Sequence, residues 1–433
     1  SEHFERAKKY MPYNERMVFD SIDLILQSEQ KRIYKSLSGR ERIAYKRNFW
    51  VSQDPLWITE YNERKLEHYT RVAYANLRFG IKKQGVEGWK TERGQIYIKY
   101  GEPLHRLFMR PTLDVIGGQD IWDYGNFRLV FEDRYGSGKF LMTSESMLTA
   151  KGVENIHPET YTYEDEESLT SFPWESFYFK GNSGRTKIKI FYGISLKERF
   201  KDLDIWNLTI KRGIYMFDNN FNQLLKDTKI HRIEKDGSAI IRDGMAVWEM
   251  GFEIYPGNYI LGLEIMENKT RKIGRIREKI DVPVFGEDSL RISDIIISRD
   301  MEIAEKGHKI FPSFDSVFRE NSDLYFYYEV YNLSLDEYNS SLFEVIYEIY
   351  KRDGVKKYLS PLFSGISSLF AEKRGNPIYR EIQRNLKAEE NVVQYVMIDL
   401  KGYKPGNYSL RIKIIDLLSS RTAEKINNFK ISG

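Results

Sequence analysis

The sequence predicts a multidomain α+β and all-β protein, with N-terminal helices and a small antiparallel sheet followed by two immunoglobulin-like β-sandwiches. Apolar residues recur at helical spacing over about the first 80 positions. Short alternating segments bounded by turn residues begin near Gly94 and dominate beyond Thr186. The tetrapeptide PGNY occurs at 256–259 and again at 405–408. A length of 433 residues is consistent with roughly three domains.

Three helices are expected before the first strand. Apolar residues between Asn14 and Leu37 fall on one helical face. Ser38, followed three positions later by Glu41, matches a capping box and predicts the start of a second helix. Thr59 is expected to cap a third helix that Gly80 terminates.

A small sheet is expected to follow these helices. The alternation at 95–100 predicts its first strand, and 120–124, 127–131 and 139–142 supply further strands. Helices packed on one face of such a sheet form an α+β domain, which we place at residues 1–150. Residues 151–185 are predicted to be an ordered, irregular connector, because a free linker would not carry so many aromatic residues.

The remainder of the chain is predicted to form two β-sandwiches, at 186–287 and 288–433. Strand candidates separated by turn residues recur at short intervals, as in immunoglobulin-like sandwiches. The two PGNY turns indicate a duplicated sandwich, with a common hairpin turn as the alternative. A helix-prone insertion is expected near 366–390.

Composition excludes several classes of function. The chain has no cysteine, so it has no disulfide, thiolate nucleophile or cysteine-ligated metal. None of its six histidines lies at a metal-ligand spacing from another, and neither a glycine-rich phosphate loop nor a G-x-S-x-G elbow is present. No apolar run approaches the ~20 residues of a membrane span. We therefore predict no catalytic residue, metal or cofactor and no membrane span, which favours a protein that is not an enzyme.

One segment is strongly basic. The net charge of the whole chain is +4, but residues 31–110 hold 18 Lys and Arg against 8 Asp and Glu, a net charge of +10. Such a segment fits an anionic partner surface, a phospholipid headgroup or an acidic glycan. The alternative is that these side chains only solvate amphipathic helices. No nucleic-acid partner is predicted, because no DNA- or RNA-binding module signature is present.

Aromatic, charged and glycine residues are densest between Gly88 and Tyr124. The segment Gly88–Gly94 reads GWKTERG. The glycines would allow a tight turn, and the charged side chains could bond one another. The cluster is either a structural knot between a helix and the sheet, or a site that binds a peptide or sugar by stacking and bidentate hydrogen bonds. The candidate binding residues, called the motif cluster below, are Trp89, Glu92, Arg93, Tyr97, Tyr100, Trp122 and Tyr124.

These residues resemble the GWxTD-domain family of bacterial proteins over about residues 40–145. The departure is Glu92, which stands where the family's motif has Asp. The resemblance implies an exported protein similar to those of the Bacteroidota, with Ser1 following a cleaved leader and a periplasmic, outer-membrane-associated or surface location. It supplies no catalytic residue. The other residues that carry it are Trp50, Asp54, Pro55, Asn62, Glu63, Tyr69, Arg71, Tyr74, Ala75, Asn76, Phe79, Gly88, Thr91, Gly94, Gly101 and Pro103.

Three functions are then open. The first is a non-enzymatic interaction or scaffold protein of the cell envelope, a subunit of a larger assembly with protein partners. The second is a carbohydrate- or peptide-binding module that uses the motif cluster. The third is a hydrolase that uses Glu92 with Arg93 or His105, which requires Glu92 to lie in a cleft.

Overall fold

The computed structural model describes residues 2–110, 117–156, 171–196, 208–233, 240–242, 244–304, 307–352 and 377–433. The chain forms two compact units, each assembled from separate stretches of sequence. The first unit comprises Ser1–Thr170, Thr209–Ile230 and Ile260–Glu278, and the second comprises Ser171–Leu208, His231–Tyr259 and Lys279–Gly433.

Helices occupy the first part of the first unit. The capping box of Ser38 and Glu41 is present as predicted, and the Ser38 amide donates to Glu41 Oε2 over 2.7 Å. Asn62 rather than Thr59 caps the following helix, because its Oδ1 accepts from the Lys65 amide at 2.7 Å. The predicted helix over 14–37 is divided in two. The bounds are α1 Glu2–Tyr10, α2 Tyr13–Asp20, α3 Ser28–Ser36, α4 Gly39–Gln53, α5 Glu63–Phe79, α6 Glu92–Tyr100 and α7 Ser144–Ile156.

The strand predicted at 95–100 is wrong, since this segment lies in α6. Thr91 caps the helix by accepting from the Gly94 amide at 3.1 Å. Ile96, Ile98 and Tyr100 are all buried. A helix buried on more than one side loses its polar face, so its sequence can alternate like a strand.

The small antiparallel sheet is confirmed. Its order is β1-β2-β3-β4, with β1 His105–Met109, β2 Gly118–Asp123, β3 Arg128–Asp133 and β4 Leu141–Met142. Alternate residues of β2 and β3 are buried. Trp122, Leu129 and Phe131 join Val72, Phe79 and residues of α6 in one apolar core. Helices therefore pack on one face of the sheet, as the α+β prediction requires.

A second antiparallel sheet has the order β12-β11-β7-β8, and β7 with the greater part of the others lies in the first unit. Trp57, which follows α4, packs against Tyr215 and Phe217 of β7. Leu56 and Ile58 pack against Met266 and Ile273. The strands are β7 Thr209–Phe217, β8 Gln223–Arg232, β11 Gly257–Glu267 and β12 Ile273–Val282.

The second unit contains further antiparallel sheets. One has the order β5-β6-β10-β9, in which β5 replaces part of the irregular connector predicted at 151–185. The buried Phe177 and Phe179 of β5 confirm that the connector's aromatic residues pack on the protein. The strands are β5 Trp174–Lys180, β6 Thr186–Ser195, β9 Ile240–Arg242 and β10 Met245–Ile254, together with a separate hairpin of β15 Met301–Ala304 and β16 Gly307–Ile310.

The C-terminal sheets form a sandwich. In one sheet β18 pairs with β13 and β14 along one edge and with β21 along the other, and the second sheet has the order β17-β23-β22-β19-β20. Both sheets contribute to one buried core that includes Phe326, Tyr347 and Ile412. The helix-prone insertion predicted near 366–390 is wrong for its described part, 377–390, which contains strand β20 and no helix, and 366–376 lie outside the described residues. The bounds are β13 Arg291–Ile292, β14 Ile296–Ser298, β17 Val317–Arg319, β18 Asp323–Tyr331, β19 Ser341–Lys351, β20 Tyr379–Lys387, β21 Val392–Asp399, β22 Gly406–Asp416 and β23 Thr422–Ser432.

The two PGNY segments have the same local structure. Gly257 and Gly406 have φ angles of +149° and +157°, which favour glycine. The Tyr259 hydroxyl donates to the Tyr255 carbonyl over 2.8 Å, and the Tyr408 hydroxyl likewise donates to the carbonyl four residues before it. A tyrosine that ties a strand to the backbone a few residues upstream is a feature of immunoglobulin-like sandwiches.

Candidate functional site

The glycines of the GWKTERG segment allow three backbone segments to touch. A Cβ atom at Gly88 would lie 1.8 Å from the Ala75 carbonyl oxygen of α5. One at Gly94 would lie 1.9 Å from the Gly88 carbonyl oxygen. No side chain fits at such distances, so both glycines are required for α5, the 3₁₀ turn at Gly88–Lys90 and α6 to pack.

Hydrogen bonds hold the turn against α5 and α6. The Trp89 amide donates to Asn76 Oδ1 over 3.0 Å, and the indole N–H donates to Glu87 Oε2 over 3.1 Å. The Thr91 hydroxyl donates to the Gly88 carbonyl over 2.7 Å while its oxygen caps α6. Trp89 is half-buried, with the Lys90 ammonium 5.2 Å from its ring centroid. These hydrogen bonds therefore attach the turn to α5 and to the start of α6.

Asp120 is the centre of a buried charge network. Its side chain is fully buried and accepts from Arg93 Nη1 at 3.0 Å, from Arg106 Nε and Nη2 at 2.8 and 2.7 Å, and from the Trp122 indole at 2.8 Å. Burial alone would raise the pKa of Asp120, but the hydrogen bonds from Arg106 and Arg93 outweigh it and lower that pKa. Arg93 also lies 3.8 Å from the centroid of Phe140. The network binds α6 to β1 and β2.

The tyrosines of the motif cluster form aromatic contacts around this network. Tyr97 stacks on Tyr74, with ring centroids 4.4 Å apart, and meets Trp122 edge-on at 6.3 Å. Tyr124 stacks on Phe127 at 4.7 Å and donates its hydroxyl to the Gly101 carbonyl over 3.0 Å. Burial raises the pKa of Tyr97 to about 12 and raises that of Tyr124 further. Neither hydroxyl is suited to proton transfer near neutral pH.

Glu92 serves the packing of the sheet on α6. Its Oε2 accepts from the backbone amide of Met142, in β4, at 2.5 Å. Its position at the start of α6 also favours a negative charge. His105, the hydrolase hypothesis' other partner, is an exposed residue of β1. The bond that the structure gives Glu92 is thus a backbone contact.

All seven predicted residues lie in the first unit, around α6 and β2. Arg93 and Trp122 meet through Asp120, Tyr97 touches Trp122, and Tyr100 approaches Tyr124 at 5.9 Å. Tyr100 and Trp122 are buried, whereas Trp89, Tyr97 and Tyr124 are partly exposed. The rings that reach solvent are those with a surface to offer a ligand.

Sequence reasoning missed Asp120 and Arg106, which hold the cluster together. A signal was present, because Asp120 and Trp122 are two positions apart on a strand and so share a face. Arg106 lies opposite Trp122 in the register of β1 and β2. That pairing is not readable before the register is known.

The first unit also contains two partly buried carboxyl groups, those of Asp54 after α4 and of Glu63 at the start of α5. Burial together with the nearby Glu63 carboxylate raises the pKa of Asp54, and burial also raises the pKa of Glu63. Nearby, Glu264 accepts from the Ile58 amide at 2.6 Å and from Arg277 Nη2 at 3.1 Å. The Arg277 guanidinium lies 3.7 Å from the Trp57 ring centroid. Asp54 and Glu63 can lie close together in this partly buried site because one of two neighbouring carboxyl groups can keep its proton.

A cavity of about 520 Å³ lies in the second unit. Apolar side chains line it together with two arginines, each in an ion pair at the cavity: Arg242 with Asp300, and Arg299 with Asp315. Burial and the nearby Asp315 carboxylate raise the pKa of Glu175 to about 7. The lining residues come from separate segments between Pro173 and Asp315, so no local sequence pattern marks them.

Neither a protein-family model nor a curated protein matches the chain. Within the described ranges, no group of three or more His, Asp or Glu side chains could hold a metal ion. None of the described helices combines the length and the apolar character needed to cross a membrane.

Proposed function

We propose that the protein is a non-enzymatic interaction or scaffold subunit of a cell-envelope assembly. The observation that supports it is the exposure of strand β1. This terminal strand of the small sheet exposes all five of its residues, including Leu107, Phe108 and Met109. A terminal strand with exposed apolar side chains is a template for pairing with a strand of another chain.

The contacts of the motif cluster support the same proposal. Arg93, Trp122 and Glu92 bond to side chains and backbone of their own unit. Side chains bonded in this way stabilise the fold. We therefore assign partner binding to the neighbouring strand β1. The exported, periplasmic or outer-membrane-associated location implied by the GWxTD resemblance belongs to this proposal.

The test is photo-crosslinking in intact cells of the source organism. A photoreactive residue at Leu107 or Met109 should crosslink to one stoichiometric envelope protein. The same residue at Leu77, which is 77% exposed on α5, is the matched control and should not. Recovery of the protein in the cytosolic fraction, or equal crosslinking from Leu77, would overturn the proposal.

A glycan- or peptide-binding module is the second candidate, favoured by the partly exposed rings of Trp89, Tyr97 and Tyr124. Aromatic faces that reach solvent can stack on a sugar or a peptide side chain. Trp89→Ala should then abolish binding in glycan and peptide screens while the variant remains folded. Unfolding of that variant, with no ligand found for the wild type, would remove this candidate.

A further inference from the structure

Helices α3 and α4 are consecutive, largely exposed and basic, and the rings of Tyr34 and Tyr45 contact each other. Among its described residues α3 contains no buried side chain, and α4 buries only Phe49 and Trp50 near its C-terminal end. We call residues 28–47 the basic helix pair. It holds seven Lys and Arg against two acidic residues, a net charge of +5 within 20 positions. The part of it within residues 31–110, residues 31–47, has seven basic residues and one acidic residue, a net charge of +6 out of the +10 of that segment.

The acidic residues of the basic helix pair are already engaged. Glu41 is held in the capping box by Ser38, and Glu29 lies 3.4 Å from Arg32. Arg42 donates to the Tyr34 and Lys35 carbonyls, which ties α4 to the end of α3. Four other cations, Lys31, Lys35, Arg40 and Lys46, make no ion pair within the described part of the chain. Their charge is available to an external anion.

Each helix of the basic helix pair also exposes an isoleucine beside these cations. Ile33 is 43% exposed and follows Arg32, and Ile43 is 69% exposed. On α4, Arg40, Ile43 and Arg47 are spaced i, i+3 and i+7, so they share one exposed face. Exposed isoleucine is unfavourable in water, and its flanking by basic residues is typical of helices that lie on a lipid surface.

We propose that the basic helix pair docks the protein on an anionic phospholipid surface. Long basic side chains that lack fixed partners suit a planar array of phosphates, which they meet without a set geometry. The isoleucines would enter the headgroup boundary, adding affinity that salt does not screen. This property is separate from strand pairing at β1, since it requires only the basic helix pair and lipid.

The test is flotation of the purified full chain with vesicles of phosphatidylethanolamine containing about 30% phosphatidylglycerol, and with vesicles of phosphatidylcholine. We expect binding to the anionic vesicles only, weakened by added salt. The double variant Lys35→Glu/Arg40→Glu should reduce binding at least about tenfold. Lys82→Glu/Lys83→Glu, at exposed positions of the same unit, makes the same charge change and should bind like the wild type.

Substitution of the two isoleucines provides a second, independent test of membrane docking. Ile33→Ser/Ile43→Ser should reduce vesicle binding severalfold with an unchanged salt dependence, and Leu77→Ser is the matched exposed control. Melting curves establish that each variant is folded. Equal binding of the two charge variants, equal binding to phosphatidylcholine, or binding to polyglutamate but not to vesicles would overturn the proposal. The last result would indicate an acidic protein partner, and none of them bears on crosslinking at β1.

Discussion

The Cα atom of Gly88 lies so close to Ala75 that a Cβ atom at position 88 would be 1.8 Å from the Ala75 carbonyl oxygen. The obstacle is helical backbone, which cannot rotate away as a side chain can. The glycine at the start of the GWKTE sequence is thus a condition for packing α5 against the turn that precedes α6.

Gly88→Ala should destabilise the first unit by at least about 3 kcal/mol, because α5 and the turn must separate to admit the methyl group. The urea midpoint of tryptophan fluorescence measures this change. Gly152→Ala is the control, since nothing lies within 4 Å of the Cβ position there and the residue is inside α7. We expect that control to gain up to about 1 kcal/mol. Similar midpoints for the two variants would contradict the packing argument.

Asp120→Asn should destabilise the protein by about 3 to 5 kcal/mol, because Arg93 would remain buried beside a neutral amide. Asp123→Asn is matched on the same strand, and its partner Arg128 is largely exposed. It should cost less than about 1 kcal/mol. Urea unfolding of both variants gives the comparison, and a small effect at Asp120 would show that the network is not essential to the fold.

Glu92→Asp should destabilise the protein by about 1 to 2 kcal/mol. The shorter side chain would no longer reach the Met142 amide, leaving that donor without its bond. Glu92→Gln keeps an acceptor oxygen and should cost less. Thermal melts of the two variants provide the measurement, and an aspartate variant as stable as the wild type would refute the assigned role of Glu92.

The hydroxyl hydrogen bonds of Tyr259 and Tyr408, the tyrosines of the two PGNY segments, should contribute unequally to the free energy of unfolding. Tyr408→Phe should cost about 1 to 2 kcal/mol, because its hydroxyl bond lies at a buried side chain, and Tyr259→Phe about 0.5 kcal/mol at its more exposed position. Tyr135→Phe, at a residue that is 85% exposed, should have no effect. Calorimetric unfolding distinguishes these cases. The opposite order would mean that burial does not set the strength of this contact.

Stability should fall as pH rises from about 4 to about 8, between the ordinary pKa of an aspartate and the pKa of about 8 that Asp54 has in the folded protein. Folded Asp54 retains a proton at pH values where the unfolded chain has released it, because burial and Glu63 raise its pKa. The unfolded state therefore binds fewer protons, and stability declines by up to about 1.4 kcal/mol per pH unit per proton. Glu264 and Arg277 face the same region.

Asp54→Asn isolates this effect, since the amide does not titrate. Urea midpoints of the variant should show a markedly smaller decline over the same pH range. An equal decline in wild type and variant would assign the pH dependence to other groups.

Local signals in the sequence were sufficient for much of the architecture. The capping box at Ser38, the strands at 118–133 and the strands beyond Thr186 follow from side-chain spacing and turn residues, which act over a few positions. The same kind of signal gave a wrong prediction for the segment 95–100. An almost fully buried helix has lost the polar face on which the helical pattern depends. For β20, the strand depends on its pairing with β19.

By itself, then, the sequence determined the order of helical and β regions, the repeated PGNY corner and the residues gathered around Trp89. Only the tertiary structure decided what those residues do. Asp120 meets Arg93 and Arg106 because the strand register brings them together, and Gly88 is required because of a carbonyl 13 residues away in α5. Such contacts join distant segments, and their energies depend on burial that no local pattern specifies.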